Sequence, residues 1–326
     1  MAKFIIKIFR FLVVALLLYI PLVIVWAEFD YNSFIRKNVW YELTQPGIVL
    51  PDGQINSYGH MFSRMKEVKT TRDIDLLIIG ASQAYRGFDT RNFEKAGYSS
   101  FNLGSSNQTP LQTEILLKKY LDQLNPHTII YVVYPEVFSV DGVESTLDLI
   151  ANDHVHLGMV ALVFKQRNLK LFNTLIYAAY RDLFKLNKNF TEPTQKQNDQ
   201  YIKGGYVEKE LLHYGYHQVE KSNWQFNRVQ FRAFERSLKM ISDKKIQLIL
   251  VQTPTPEMVY SSQTNNVQFD AMMNNYGDYY NFNTLVELDD SIHFYDAYHM
   301  NQLGVEIFNE ALIDLINEKT KSNVQH

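Results

Sequence analysis

The stretch "IDLLIIG" (Ile74–Gly80) limits the possible folds more than any other part of this chain. It is apolar at successive positions, not at alternate ones. A strand with one wet face alternates, so a short continuous apolar run reads as a strand buried on both sides. "SSFNLG" (Ser99–Gly104), "TIIYVVY" (Thr128–Tyr134), "IQLILVQTP" (Ile246–Pro254) and "TLVELDD" (Thr284–Asp290) continue the series. Helical patterns separate them. "PLQTEILLKKYLDQL" (Pro110–Leu124) has proline in its first turn, and Asn223–Lys244 is amphipathic. Buried strands alternating with helices predict an α/β fold of three layers, α/β/α, around a mostly parallel doubly wound sheet. Such sheets hold ligands at the carboxyl ends of their strands, where Ser82, Gly104, Glu136 and Thr253 fall.

Upstream of the sheet, "FLVVALLLYIPLVIVWA" (Phe11–Ala27) carries no charge, and Lys3, Lys7 and Arg10 precede it. With the apolar residues between those charges, the segment reaches the ~20 residues that span a bilayer. The flanking charge keeps the N-terminus cytoplasmic and puts the remainder outside, and Trp26 is placed like an interfacial anchor. Val25-Trp26-Ala27 also reads as a signal-peptide cleavage site, so anchor and cleaved leader both stand. The expected organisation is a transmembrane anchor over 1–27, a stalk and entry segment over 28–70 with turn chemistry at Gln45–Gln54, and an α/β domain over 71–326. An insertion at about 140–222 interrupts that domain with a helical stretch, a polar run near Thr194 and an aromatic-rich tail.

Composition excludes several chemistries. The chain has 326 residues and no cysteine, which removes disulfides, thiolate metal sites and cysteine catalysis. A formal net charge of -3 without a basic tract gives no reason to expect nucleic acid. His154, His156, His213 and His217 have no ligand-like spacing with acidic residues, so neither metal nor cofactor is expected.

Two short motifs carry the candidate chemistry. Gly80-Ala81-Ser82 ends the first strand and opens a helix, which makes Ser82 either a helix cap or a nucleophile. Near the C-terminus "FYDAYHMNQLG" holds Asp296 and His299, three residues apart. In a helical turn that spacing puts both on one face, where the carboxylate fixes the imidazole tautomer and frees the other nitrogen as a base. A serine at a strand–helix elbow, Gly104 at the next strand end and Asp-x-x-His before the last helix together resemble the SGNH (GDSL-like) hydrolase superfamily, over residues 73–318.

The resemblance implies a flavodoxin-like sheet and a serine ester mechanism, with Ser82 as nucleophile, His299 as base and Asp296 as its orienting acid. It implies an oxyanion hole from the Ser82 and Gly104 backbone N–H groups. The family's third motif departs: Pro135 and Glu136 stand where Gly-x-Asn is expected, which leaves Asn107 as a substitute donor. Arg86 either pairs with Glu136 or contacts substrate. Together with the anchor, the resemblance implies an extracytoplasmic enzyme at the cytoplasmic membrane. It would remove or transfer small acyl groups on envelope glycans, with a membrane acyltransferase as a candidate partner. A catalytically silent glycan-binding domain and a structural membrane partner are the alternatives.

Overall fold

The computed structural model describes residues 1–27, 57–210, 212–215 and 219–324. The segment carrying Gln45–Gln54 and the residue His217 lie outside them. In chain order the helices are α1 (Ala2–Ala27), α2 (Met61–Val68), α3 (Ser82–Gly87), α4 (Thr90–Lys95), α5 (Pro110–Leu124), α6 (Val143–Asn152), α7 (Leu157–Gln166), α8 (Leu169–Phe184), α9 (Arg228–Asp243), α10 (Glu257–Ser262), α11 (Asn266–Asn274) and α12 (Gln302–Val324). The strands are β1 (Leu76–Ile79), β2 (Ser100–Asn102), β3 (Thr128–Val132), β4 (Gln195–Lys196), β5 (Asp199–Ile202), β6 (Tyr206–Lys209), β7 (Gln247–Gln252) and β8 (Tyr279–Asn281). The chain divides into two compact units, one of residues 1–57 and 146–191, the other of 58–145 and 192–326.

The second unit holds a five-stranded sheet in the order β2-β1-β3-β7-β8, parallel throughout. Helices cover both faces, so the fold is the doubly wound α/β architecture that the apolar runs predict. Leu76, Ile78, Ile130, Val132, Ile249 and Val251 face one layer, where they meet Phe88, Phe93, Phe308 and Leu312 of α3's end, α4 and α12. Phe308 packs edge-on against Phe88 at 5.1 Å and Phe282 at 4.9 Å. Alternate residues point the other way, where Tyr131 meets Phe234 of α9 at 5.0 Å. Burying each such side chain is worth about 1.5–3 kcal/mol. The sheet therefore supplies a rigid floor for the loops at its carboxyl edge.

Local signals account for several element ends. Thr109 and Gln112 form a capping box that starts α5 where proline predicts it. Asn227 caps α9 through Val229 N–H, which is why this helix begins later than the pattern from Asn223 suggests. The fifth strand is a correction. It lies at Tyr279–Asn281, and Thr284–Asp290 forms turns and irregular backbone. Val286 and Leu288 of that segment pack against the core, so their apolar character serves side-chain burial and not a backbone ladder. Residues 57–70 hold α2, whose Met61, Met65 and Val68 are buried.

The polar run near Thr194 belongs to a second, three-stranded antiparallel sheet, β4-β5-β6, that the sequence reading missed. In the first unit, the helical stretch of the insertion is two helices, broken at Arg167 in the left-handed region (φ 51°) and restarted by the Asn168 cap. α8 packs on α1, and Tyr19 Oη donates to Asn173 Oδ1 at 2.5 Å.

Candidate active site

The strand order reverses at β1, with β2 on one side and β3 on the other. This is the point where doubly wound sheets bind ligands. β1 runs into Gly80, whose φ of +150° and close approach to Val132 leave no room for a side chain. The turn delivers Ser82 to the first position of α3, with Ala81 as the N-cap. Ser82 therefore does not cap the helix. Its side chain faces a cavity of about 350 Å³ lined by α3, the loops that follow β2 and β3, Lys209 of β6 and the C-terminal loop.

Ser82 Oγ lies 2.7 Å from His299 Nε2. His299 Nδ1 lies 2.9 Å from both oxygens of Asp296. With Asp296 ionised, Nδ1 donates to the carboxylate and Nε2 is left to accept from the serine hydroxyl. The Asp296–His299 turn is not helical, contrary to the sequence reading. A bridge between Phe294 and Met300 closes it, and Asp296 Oδ1 accepts the backbone N–H groups of Tyr298 (2.8 Å) and His299 (2.9 Å). Those carboxylate bonds reproduce locally the geometry expected from a helix.

Electrostatics suit a base. Burial lowers the His299 pKa, and although the Asp296 carboxylate opposes this, the net position is below that of a free imidazole. Burial pushes the Asp296 carboxyl up, but the hydrogen bonds from His299 and the two backbone N–H groups outweigh it, leaving it below the ordinary range. The His299 ring stacks on Tyr295 at 5.5 Å and meets Tyr298 edge-on at 6.3 Å.

Of the expected oxyanion donors, Ser82 and Asn107 line the cavity and Gly104 does not. Gly104 N–H donates to Asn102 Oδ1 at 3.1 Å, and Gly104 does not line the cavity. Its lack of a side chain answers a different need, since a Cβ there would meet Ala84 at 2.8 Å. Asn107 does line the cavity, with its amide donating to Glu144 Oε2 at 2.9 Å. That bond uses one of the two amide hydrogens. Ser82 N–H, at the first position of a helix, has no intrahelical acceptor.

Arg86 pairs with Asp199 of β5, not with Glu136. Its two contacts are 3.1 and 2.8 Å, and Lys209 reaches the same carboxylate at 3.1 Å. Glu136 lies on the turn after β3 and faces the cavity, where burial, reinforced by the nearby Glu144 charge, raises its pKa. Sequence reasoning missed Asp199, Lys209, Tyr134, Tyr295 and Tyr298. The tyrosines lie in or beside the Asp-x-x-His motif or just past β3 and were legible by position, whereas Asp199 sits in a polar run with no local signal.

No protein-family model matches the chain, and no curated protein matches it. Among solved structures it is similar to a crystal structure of a candidate acylhydrolase from Bacteroides fragilis. The two are 10% identical over 81% of this chain and 99% of that one, with a TM-score of 0.40. The chemistry of the site has to follow from its own geometry.

Proposed function

We propose that this chain is a serine ester hydrolase or O-acyltransferase. The observation that carries the reading is the continuous hydrogen-bond path from Ser82 through His299 to Asp296 at the edge of an open cavity. His299 Nε2 takes the Ser82 proton as Oγ attacks an ester carbonyl, and Asp296 stabilises the imidazolium that forms. The tetrahedral intermediate collapses, the leaving alcohol takes the proton from His299, and the acyl group stays on Ser82. Water or a sugar hydroxyl, deprotonated by His299, then releases it. Ser82 N–H and the second Asn107 amide hydrogen are the donors for the oxyanion. One such donor is typically worth ~3 kcal/mol, so this hole, lacking the Gly104 N–H, fits a slow or specialised enzyme.

In the finer reading, residues 1–27 anchor the chain and the catalytic unit acts outside the cytoplasmic membrane. The substrates are small acyl groups on envelope glycans, with a membrane acyltransferase as partner; the charges before α1 and the SGNH resemblance of the motifs support this. A silent glycan-binding domain is the second reading, favoured by the occupied Gly104 N–H and by Glu136 in the cavity. The test uses full-length protein in detergent with a fluorophosphonate probe and p-nitrophenyl acetate, alongside Ser82→Ala and His299→Ala. Labelling and turnover lost in both variants establish the nucleophile. A wild-type chain that neither labels nor turns over with either reagent overturns the enzymatic reading in favour of the silent one.

A further inference from the structure

The helices α7 and α8 turn an apolar face outward. On α8, Leu169, Phe172, Ile176, Ala179 and Leu183 recur every three or four residues, the spacing of one helix face. In a water-soluble domain such a stripe faces the core. Here Leu169, Ala179 and Leu183 are exposed and Phe172 and Ile176 are half-buried, while Leu171, Asn173, Thr174, Tyr177, Ala178 and Arg181 fill the buried face. The buried face is half polar, with asparagine, threonine and arginine beside Leu171, Tyr177 and Ala178, while leucines stand outside. α7 adds Leu157 (87% exposed) and Phe164 (62%), and Phe184 and Leu186 extend the surface past α8. Patches of this kind mark interaction sites.

The position of this face in its unit says what covers it. α1 is 26 residues long, about 39 Å, against a hydrocarbon thickness of about 30 Å. Its outer face is apolar and exposed along the length, and only Val23 and Ala27 are buried. Those two, with Tyr19, form a stripe at one end of the helix, and Tyr19 bonds to Asn173 in the first turns of α8. Tyr19 precedes the end of α1 by about 12 Å along its axis. A span centred on the bilayer therefore carries Tyr19 and the start of α8 about 7.5 Å inside the acyl-chain boundary, within the roughly 5–10 Å to which interfacial helices sink. Basic residues sit at the ends of the two helices and in the turns beside them, with Lys165, Arg167, Lys185 and Lys188 exposed and Lys170 half-buried, against the one acidic residue Asp182 on α8. An apolar face with a basic rim is the pattern of a helix lying in an anionic lipid interface.

We propose that α7 and α8 form a membrane-interface hairpin that seats the first unit in an anionic lipid surface beside α1. The chain is held by two apolar elements far apart in sequence, and the orientation of the first unit on the membrane is fixed and not left to a single swivelling helix. This proposal is independent of the ester chemistry, which resides in the second unit.

The absence of native cysteine makes the test direct. Full-length Phe164→Cys and Leu183→Cys are labelled with an environment-sensitive nitrobenzoxadiazole dye and placed in nanodiscs containing phosphatidylglycerol, with Lys239→Cys on α9 as the aqueous reference. Both positions are exposed, so neither substitution touches a packed core. The expected result is blue-shifted emission at 164 and 183 that brominated acyl chains quench at least twofold more than at 239. Water-like emission at 164 and 183 overturns the proposal. Blue-shifted emission that brominated lipid leaves unquenched also overturns it, because the face is then covered by protein.

Discussion

At the scale of single residues, protonation of His299 sets the acid limb of any ester turnover. Only the neutral ring accepts the Ser82 proton. Because burial holds the His299 pKa below that of a free imidazole, ~6.5, kcat/KM should stay high as pH falls through 6.5 and drop only below it. A midpoint at or above that value in a pH–rate profile contradicts the burial argument. Asp296→Asn removes the group that raises this pKa and holds the tautomer, so it should move the limb further down and cut kcat by about 10³–10⁴. Glu136 carries the opposite expectation. A carboxylate several ångströms from a developing oxyanion costs roughly 1–3 kcal/mol at protein-like dielectric. Glu136→Gln should therefore raise kcat for a neutral ester about tenfold at pH 7.5. A loss of kcat/KM instead shows that Glu136 holds substrate. That Ser82, Asp296 and His299 come together was legible because each sits on a short motif with its own backbone logic: a glycine elbow before Ser82, and an aspartate whose side chain closes its own turn before His299. The occupied Gly104 N–H was not, because its acceptor is a side chain two residues back, and nothing in "NLG" says which way Asn102 turns.

At the scale of elements, the antiparallel sheet β4-β5-β6 decides how α3 is held. α3 carries both Ser82 and Arg86, and Arg86 is clamped to β5 through Asp199, which Lys209 of β6 also contacts. Removing one partner of a buried ion pair leaves an uncompensated charge and typically costs 3–5 kcal/mol. Asp199→Asn should lower unfolding stability by about 3 kcal/mol in thermal denaturation. It should also reduce kcat more than it changes KM, since the nucleophile shares the helix that loses its clamp. The double variant Arg86→Met/Asp199→Leu should recover part of the stability, because the guanidinium is no longer stranded and only the more exposed Lys209 loses a partner. This sheet left little trace in the sequence. Its strands are two to four residues long, and "QKQNDQ" is polar on both faces, below what periodicity can register. β8 misled in the other direction. Its three residues end in asparagine, while "TLVEL" beyond it has the β-branched, apolar character of a strand and spends it on packing.

At the scale of the whole molecule, the N-terminal helix and the insertion answer to different sequence signals and end in one unit. α1 was legible from length and charge alone. That residues 146–191 pack with it was not, because Tyr19 and Asn173 are brought together only by the fold. Deleting residues 1–27 should uncover the surface of α8 that packs on α1, Asn173 included, beside a face that is already apolar. The Ser82–His299–Asp296 path lies wholly in the other unit. The truncated chain should thus keep fluorophosphonate reactivity within about twofold in detergent, yet elute as large assemblies from a sizing column once detergent is removed. Monodisperse elution without detergent shows that α8 does not depend on α1 for cover. Loss of labelling in detergent shows that the second unit needs residues 1–27 to fold.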